Sequence, residues 1–321
     1  MGIRTSRDPS EGIARTKVQP QAQSGEAGSH EKVATGLAKR GAPALLWDGT
    51  PDCPMPEIYG SDAYSPKEIA ERIEGVGVRK ANLPLLPMAA LGVLAGGFIG
   101  LGALYFNLVV SDPALGFAAK RVLGGLVFSL GLILVVVAGA ELFTGNNLMV
   151  MARVHGKITT RLMLRNFAVV FVTNFIGACG LAAIVALSGH GRMNGGIVGE
   201  SAIAIGLAKC EIGMAEAFFK GLLCNLLVCL AVWLAMAGRS VVDRVIAVIF
   251  PVSAFVAAGF EHSIANMYFV PLAIFLAGDT GPEALTWSHF LVNNLLPVTL
   301  GNLVGGAGMV GLVYHLIYGR D

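Results

Sequence analysis

From Ala81 to Ser111 the chain runs for 31 residues without a charged side chain. At 1.5 Å per helical residue, that stretch can cross a hydrocarbon core of about 30 Å with some tilt to spare. Five further apolar stretches follow. Val122 to Ala140 meets Glu141 and resumes from Leu142 to Ala152. Asn166 to Gly191 is the third stretch, and Gly221 to Gly238, starting a turn or two earlier at Ala215, is the fourth. Val245 to Phe260 meets Glu261 and resumes from His262 to Gly278, and Ala284 to Gly319 contains the sixth. Lipid offers backbone groups no partner, so stretches of this length predict an all-α membrane protein of six spans, the second and fifth interrupted near their middles.

Charge separates this body from what precedes it. Residues 1–82 carry 11 Lys/Arg and 11 Asp/Glu, whereas the remaining 239 residues hold 12 and 10. Residues 1–60, rich in Gly, Ala, Ser, Gln and Pro, bury too little to offset ordering and are expected to be a disordered cytoplasmic arm. Residues 61–80 differ. Ser65, Pro66 and Glu68 make a capping box with proline at the first helical position, and Ile69, Ile73 and Val76 share one face, so a short amphipathic helix is expected there. Residues 81–321 form the membrane domain. A net charge of +2 with dispersed basic residues excludes a nucleic-acid partner. The five cysteines show no C-x-x-C spacing, so neither a disulfide framework nor a metal or cofactor site is expected. No apolar run precedes residue 81, so no secretory signal peptide is expected. Loop basicity, eight basic residues on one side against four on the other, places both termini in the cytoplasm of a multi-pass cell-membrane protein.

The two interruptions share a pattern. GAELFTGNN (139–147) and GFEHSIANM (259–267) both read G-x-E with an Asn five residues after the Glu. The spans that follow share N-x-x-G, at Asn174–Gly177 and Asn302–Gly305. Repetition in the same order across two three-span halves predicts an inverted repeat, because an odd number of spans reverses the second half. Unwound backbone is tolerated at membrane depth only where protein buries it or it lines a cavity, so the paired breaks point at a translocation path. Gly92, Gly96 and Gly100, and again Gly301, Gly305 and Gly306, predict faces where backbones approach closely, within the chain or between subunits.

GAELFTGN (139–146), KGLLCNLLVCLAVW (220–233), GFEHSIANMY (259–268) and NNLLPVTLGNLVGG (293–306) resemble the formate/nitrite transporter family over about residues 65–318. The resemblance implies a six-span inverted repeat of aquaporin-like architecture, assembled as a homopentamer with one pore per subunit. It implies His262 as the central pore histidine, faced by Thr144. Asn225 and Asn302 match asparagines that bond to the broken segments, Lys209 the vestibule lysine, and Glu261 the acid beside the histidine. Phe128, Leu132, Leu142, Phe143 and Phe255 match apolar residues that pinch the pore.

These residue types suit monovalent anions of weak acids. A bare anion in a dry apolar constriction faces a desolvation penalty of tens of kcal/mol in the Born limit. Protonating a carboxylate of pKa near 3.9 at pH 7 costs only about 4 kcal/mol. An intramembrane histidine can supply the proton or a hydrogen bond, and Lys209 would attract the anion. Formate is the expected substrate, with nitrite and hydrosulfide as alternatives. A membrane-embedded metal enzyme built on Glu141, Glu261 and His262 is the competing reading, but no H-E-x-x-H spacing is present.

Overall fold

The computed structural model describes residues 63–319, so the arm expected over 1–60 lies outside the described residues. Ser65 caps α1 (Pro66–Ala81) and both halves of the capping box are made. The Glu68 N–H donates to Ser65 Oγ at 3.4 Å, and the Ser65 N–H donates to Glu68 Oε2 at 2.7 Å. Ile69 and Ile73 bury this amphipathic helix against Leu148, Met151, Trp233 and Val310.

The body is helical throughout: α2 (Leu85–Val110), α3 (Phe117–Ala138), α4 (Phe143–Asn146), α5 (Met149–Val154), α6 (Thr160–Leu187), α7 (Ile197–Glu211), α8 (Met214–Ala237), α9 (Val241–Ala258), α10 (Ser263–Ala277) and α11 (Trp287–Tyr318). Among the described residues seven helices are long and apolar enough to cross a membrane, one more than the six stretches read from the sequence. The difference lies in the fifth stretch, whose interruption leaves two long helices, α9 and α10. Leu86, Phe117, Leu187 and Phe250 stand largely exposed on the outer faces, as a lipid-bathed surface allows and a water-bathed one rarely does. α10 is buried from Ser263 to Ala273, with Ile264, Met267, Tyr268 and Leu272 fully enclosed.

Packing is the same in both halves. α2 lies against α3 and α6, α8 lies against α9 and α11, and α3 meets α9 between them. The glycine stripes are spent inside the chain. A Cβ at Gly96 would strike the Asn174 carbonyl and one at Gly177 the Val93 carbonyl, fixing α2 on α6. On the other side, Gly301 and Gly305 abut the Phe218 and Leu222 carbonyls, fixing α11 on α8. α11 is not the regular helix that its apolar run suggests, because two π-helical segments, Phe290–Leu295 and Val304–Leu312, interrupt it.

Both interruptions are real breaks of the backbone. α3 ends at Gly139 with φ +81° and α9 at Gly259 with φ +77°, left-handed positions that a side chain would strain. The chain then runs extended through Leu142 (φ −108°, ψ 122°) and His262 (φ −105°, ψ 114°) before a new helix starts.

Candidate functional site

Each break frees backbone groups that must be bonded, and one asparagine does this in each half. Asn174 Oδ1 accepts the Phe143 N–H at 2.9 Å, while its Nδ2 donates to the carbonyls of Gly92 (2.8 Å) and Glu141 (2.9 Å). Asn302 repeats the set: Oδ1 accepts the Ser263 N–H at 3.0 Å, and Nδ2 donates to Gly221 (2.7 Å) and Glu261 (3.1 Å). Both asparagines are fully buried, and without them an N–H and a carbonyl at each break would lack a partner, while the Gly92 and Gly221 carbonyls keep their bonds inside α2 and α8.

The carboxylates are tied down in the same doubled way. Glu141 accepts from Asn146 at 2.7 Å and from Lys80 at 2.9 Å, with Asn166 bonded to Asn146 and to the Lys80 carbonyl. Glu261 accepts from Asn266 at 2.7 Å and from Lys209 through both oxygens at 2.9 Å, with Asn294 bonded to Asn266 and to the Lys209 carbonyl. Buried carboxylates are costly unless paired and hydrogen-bonded, and both are paired and bonded. Glu141 and Glu261 thus hold the breaks together. Two of the three ammonium protons of each lysine are committed, Lys209's to Glu261 and Lys80's to Glu141 and Asn146.

The halves differ where the breaks face each other. His262 occupies the place that Leu142 holds in the first half, one residue after the glutamate. Its Nδ1 accepts the Ala265 N–H at 3.1 Å, and its Nε2 lies 3.0 Å from Thr144 Oγ1. A backbone N–H can only donate, so Nδ1 is the acceptor and the proton of a neutral imidazole sits on Nε2, shared with Thr144. A doubly protonated ring would lose the Ala265 bond. Asn225 Nδ2 donates to the carbonyls of Asn302 (2.7 Å) and Thr144 (3.3 Å), linking the two breaks.

Three cavities share lining residues in series. The first, about 480 Å³, is bordered by Lys209, Glu261, Phe128, Phe255 and His262. Phe128, Phe255 and His262 also line the second, a pinch of about 10 Å³ closed by Ile99, Leu132, Val228 and Val252, room for roughly one water. Leu132 lines the third as well, about 220 Å³, which contains Lys80, Glu141, Leu142 and the α1 residues Ile73 and Val76. Phe128 and Phe255 meet edge to face at 5.8 Å, and Phe255 stacks on the His262 ring at 5.9 Å.

The structure therefore brings together His262, Thr144, Asn225 and Asn302, puts Lys209 and Glu261 at one mouth, and sets Phe128, Leu132 and Phe255 at the pinch, with Leu142 beyond it. Phe143 departs from the expected pore ring. Its side chain packs on Phe167 and Phe171 at 5.7 and 5.0 Å and lines none of the three cavities. Asn146 and Asn266 are the asparagines of the two G-x-E patterns, whereas Lys80, Asn166 and Asn294 were not singled out from the sequence. Two spacings could have found most of them: Lys80 to Gly92 and Lys209 to Gly221 are both twelve residues, and Asn166/Asn174 and Asn294/Asn302 are both N-x7-N.

A helical membrane protein whose buried polar groups gather at two helix breaks, with cavities in series between two charged mouths, is built as a transport protein. The chain belongs to the formate/nitrite transporter family, whose model matches residues 67–316. It is 39% identical over 267 residues to the formate channel FocA of Haemophilus influenzae, covering 78% of this chain and 94% of that one. A solved pentameric formate channel with formate bound is 40% identical and superposes with a TM-score of 0.68 over 74% of this chain and 98% of that chain. An ion channel of the same family, 30% identical, gives a TM-score of 0.71 over 79% and 99%.

Proposed function

We propose that this protein is a channel for small monovalent anions of weak acids, formate first among them, which pass from the Lys209 mouth to the Lys80 mouth through the pinch at His262. The observation that carries this reading is the series of three cavities joined by Phe128, Phe255, His262 and Leu132. Relatives of similar length are named as formate channels, and one solved relative is a pentamer with formate bound. By that likeness the chain assembles as a homopentamer in the plasma membrane, each subunit with its own path, the six-span inverted repeat setting both termini in the cytoplasm. α1 then borders the cytoplasmic mouth.

Geometry sharpens how such a path would work. The lining of the large mouth cavity balances Arg121, Lys209 and Lys220 against Glu211, Glu216 and Glu261, so no strong net field draws anions in. Lys209 acts instead at short range, offering its remaining N–H to an anion beside Glu261. At the pinch the ion must shed water, and a proton costing about 4 kcal/mol replaces a far larger desolvation cost. With Nδ1 of His262 committed to Ala265, the ring's contribution is the Nε2–H, a hydrogen-bond donor backed by Thr144. Among the two chemistries expected of the histidine, this geometry favours hydrogen bonding, with the proton taken from water in the mouth. Nitrite and hydrosulfide would meet the same groups.

An anion panel in proteoliposomes tests the reading: formate, nitrite and hydrosulfide flux should exceed that of empty vesicles, while chloride, which does not protonate near neutrality, should not. Equal flux of chloride and formate would refute passage as a weak acid.

A further inference from the structure

Away from the pore, α1, the turn after α5 and the end of α11 bring three metal-binding side chains together. We propose that Glu74, His155 and His315 form a binding site for a divalent first-row transition cation of the zinc type, which staples α1 to the body of the protein.

His155 Nδ1 lies 3.0 Å from the Glu74 carboxylate and His315 Nδ1 3.7 Å from Glu74 Oε1, and the three candidate donor atoms all fall within 4.8 Å of one another. Tetrahedral zinc with bonds of about 2.0–2.1 Å sets its ligand atoms about 3.3 Å apart, so small rotamer adjustments would close the site. Two imidazoles, one carboxylate and a water form a common zinc donor set. The independent pointer to a ligand is His315. That side chain is about nine-tenths buried, and its Nδ1 is aimed at Glu74 yet has no hydrogen-bond partner among the described residues. Gly319 leaves the nitrogen approachable, since a Cβ there would collide with it.

Lys157 is the competitor. Its ammonium pairs with Glu74 Oε2, on a side chain that is 42% exposed and free to swing into solvent. The residues lie 81 and 160 positions apart, so no local motif announces them. The consequence is mechanical: α1 contributes Ile73, Val76 and Lys80 to the third cavity, and a cation on Glu74 would fix that helix to α5 and α11.

The test uses the full chain in detergent, with Zn2+ by equilibrium dialysis and Co2+ by its visible absorption. Saturable binding of one ion per chain is expected, with the intense bands of tetrahedral cobalt. His155→Gln and His315→Gln should each weaken binding more than about tenfold, His190→Gln should leave it unchanged, and Lys157→Met should tighten it by removing the competing cation. Zn2+ should also slow trypsin cleavage at Arg79 in the parent and not in the histidine variants. Absence of saturable binding, retained affinity in either histidine variant, or an unmoved affinity in Lys157→Met overturns the proposal. The Lys157→Met arm keeps the test decisive if a histidine variant folds poorly.

Discussion

Replacing Asn302 by leucine, similar in size and branching, removes three hydrogen bonds without opening a cavity. Ser263 N–H and the Glu261 carbonyl are left unpaired in a site from which water is excluded, while the Gly221 carbonyl keeps its bond inside α8. Interhelical hydrogen bonds in membranes average about 0.6 kcal/mol, because the unfolded chain finds other partners, which gives a floor of about 2 kcal/mol for three. Stranded buried groups cost about 1–3 kcal/mol each, which gives a ceiling of about 6 kcal/mol for the two. Carbonyls with a second lone pair suffer less than the lone N–H, so a value of about 4 kcal/mol is expected, a large share of a total stability of roughly 5–15 kcal/mol. Asn174→Leu strands the corresponding two groups at the other break, Phe143 N–H and the Glu141 carbonyl, and should cost the same within about 1 kcal/mol. Unfolding by SDS titration in mixed micelles, followed by tryptophan fluorescence, measures both. A loss below about 1 kcal/mol in either variant, or a difference above about 2 kcal/mol between them, would refute the argument that one asparagine sustains each break.

Other outcomes follow from the same structure. Lys209→Gln leaves Glu261 buried without its cation and should destabilise by about 3–5 kcal/mol, whereas Lys209→Gln with Glu261→Gln should recover most of that in the same titration while still slowing formate flux. Gly177→Val should disrupt the seating of α6 on α2, because its Cβ meets the Val93 carbonyl; melting should fall well beyond that of Gly180→Val, where a Cβ meets nothing within 4 Å. The Glu68 carboxyl is held below its ordinary 4.5 by the Ser65 N–H and hydroxyl, so its support of α1 is complete above that value and fades as the pH falls through the lowered one. Amide exchange over Ile69–Ile73, corrected for intrinsic rates, should therefore quicken on acidification more steeply in the parent than in Glu68→Gln, where the Glu74 pairs alone remain to titrate.

Much of this was legible because membranes make sequence blunt. Charge-free runs of helical length gave the spans, the G-x-E pairs located both breaks at Gly139 and Gly259, and Ser65, Pro66 and Glu68 gave the start of α1. The family resemblance supplied the His262 and Thr144 pairing, which residues 118 positions apart could not have revealed alone. Lys80 escaped because a basic residue before the first span also satisfies an ordinary loop reading; only its hydrogen bond to Asn146 and ion pair with Glu141 expose it as the counterpart of Lys209. Phe143 packs on Phe167 and Phe171, contacts that apolar character alone does not record. The π segments of α11 were hidden since an extra residue per turn carries no composition of its own, and the division of the fifth stretch into two long helices depends on where Gly259 ends α9.

The central claim is that the path runs through the pinch shared by Phe128, Leu132, Phe255 and His262, and plugging it is the most direct test. Leu132→Trp fills a cavity of about 10 Å³ whose lining includes none of the asparagines, lysines or glutamates that hold the breaks. Formate flux by stopped flow in proteoliposomes, at matched protein content and oligomeric state, should fall to the level of empty vesicles. Flux equal to the parent's in a correctly assembled Leu132→Trp protein would contradict the account.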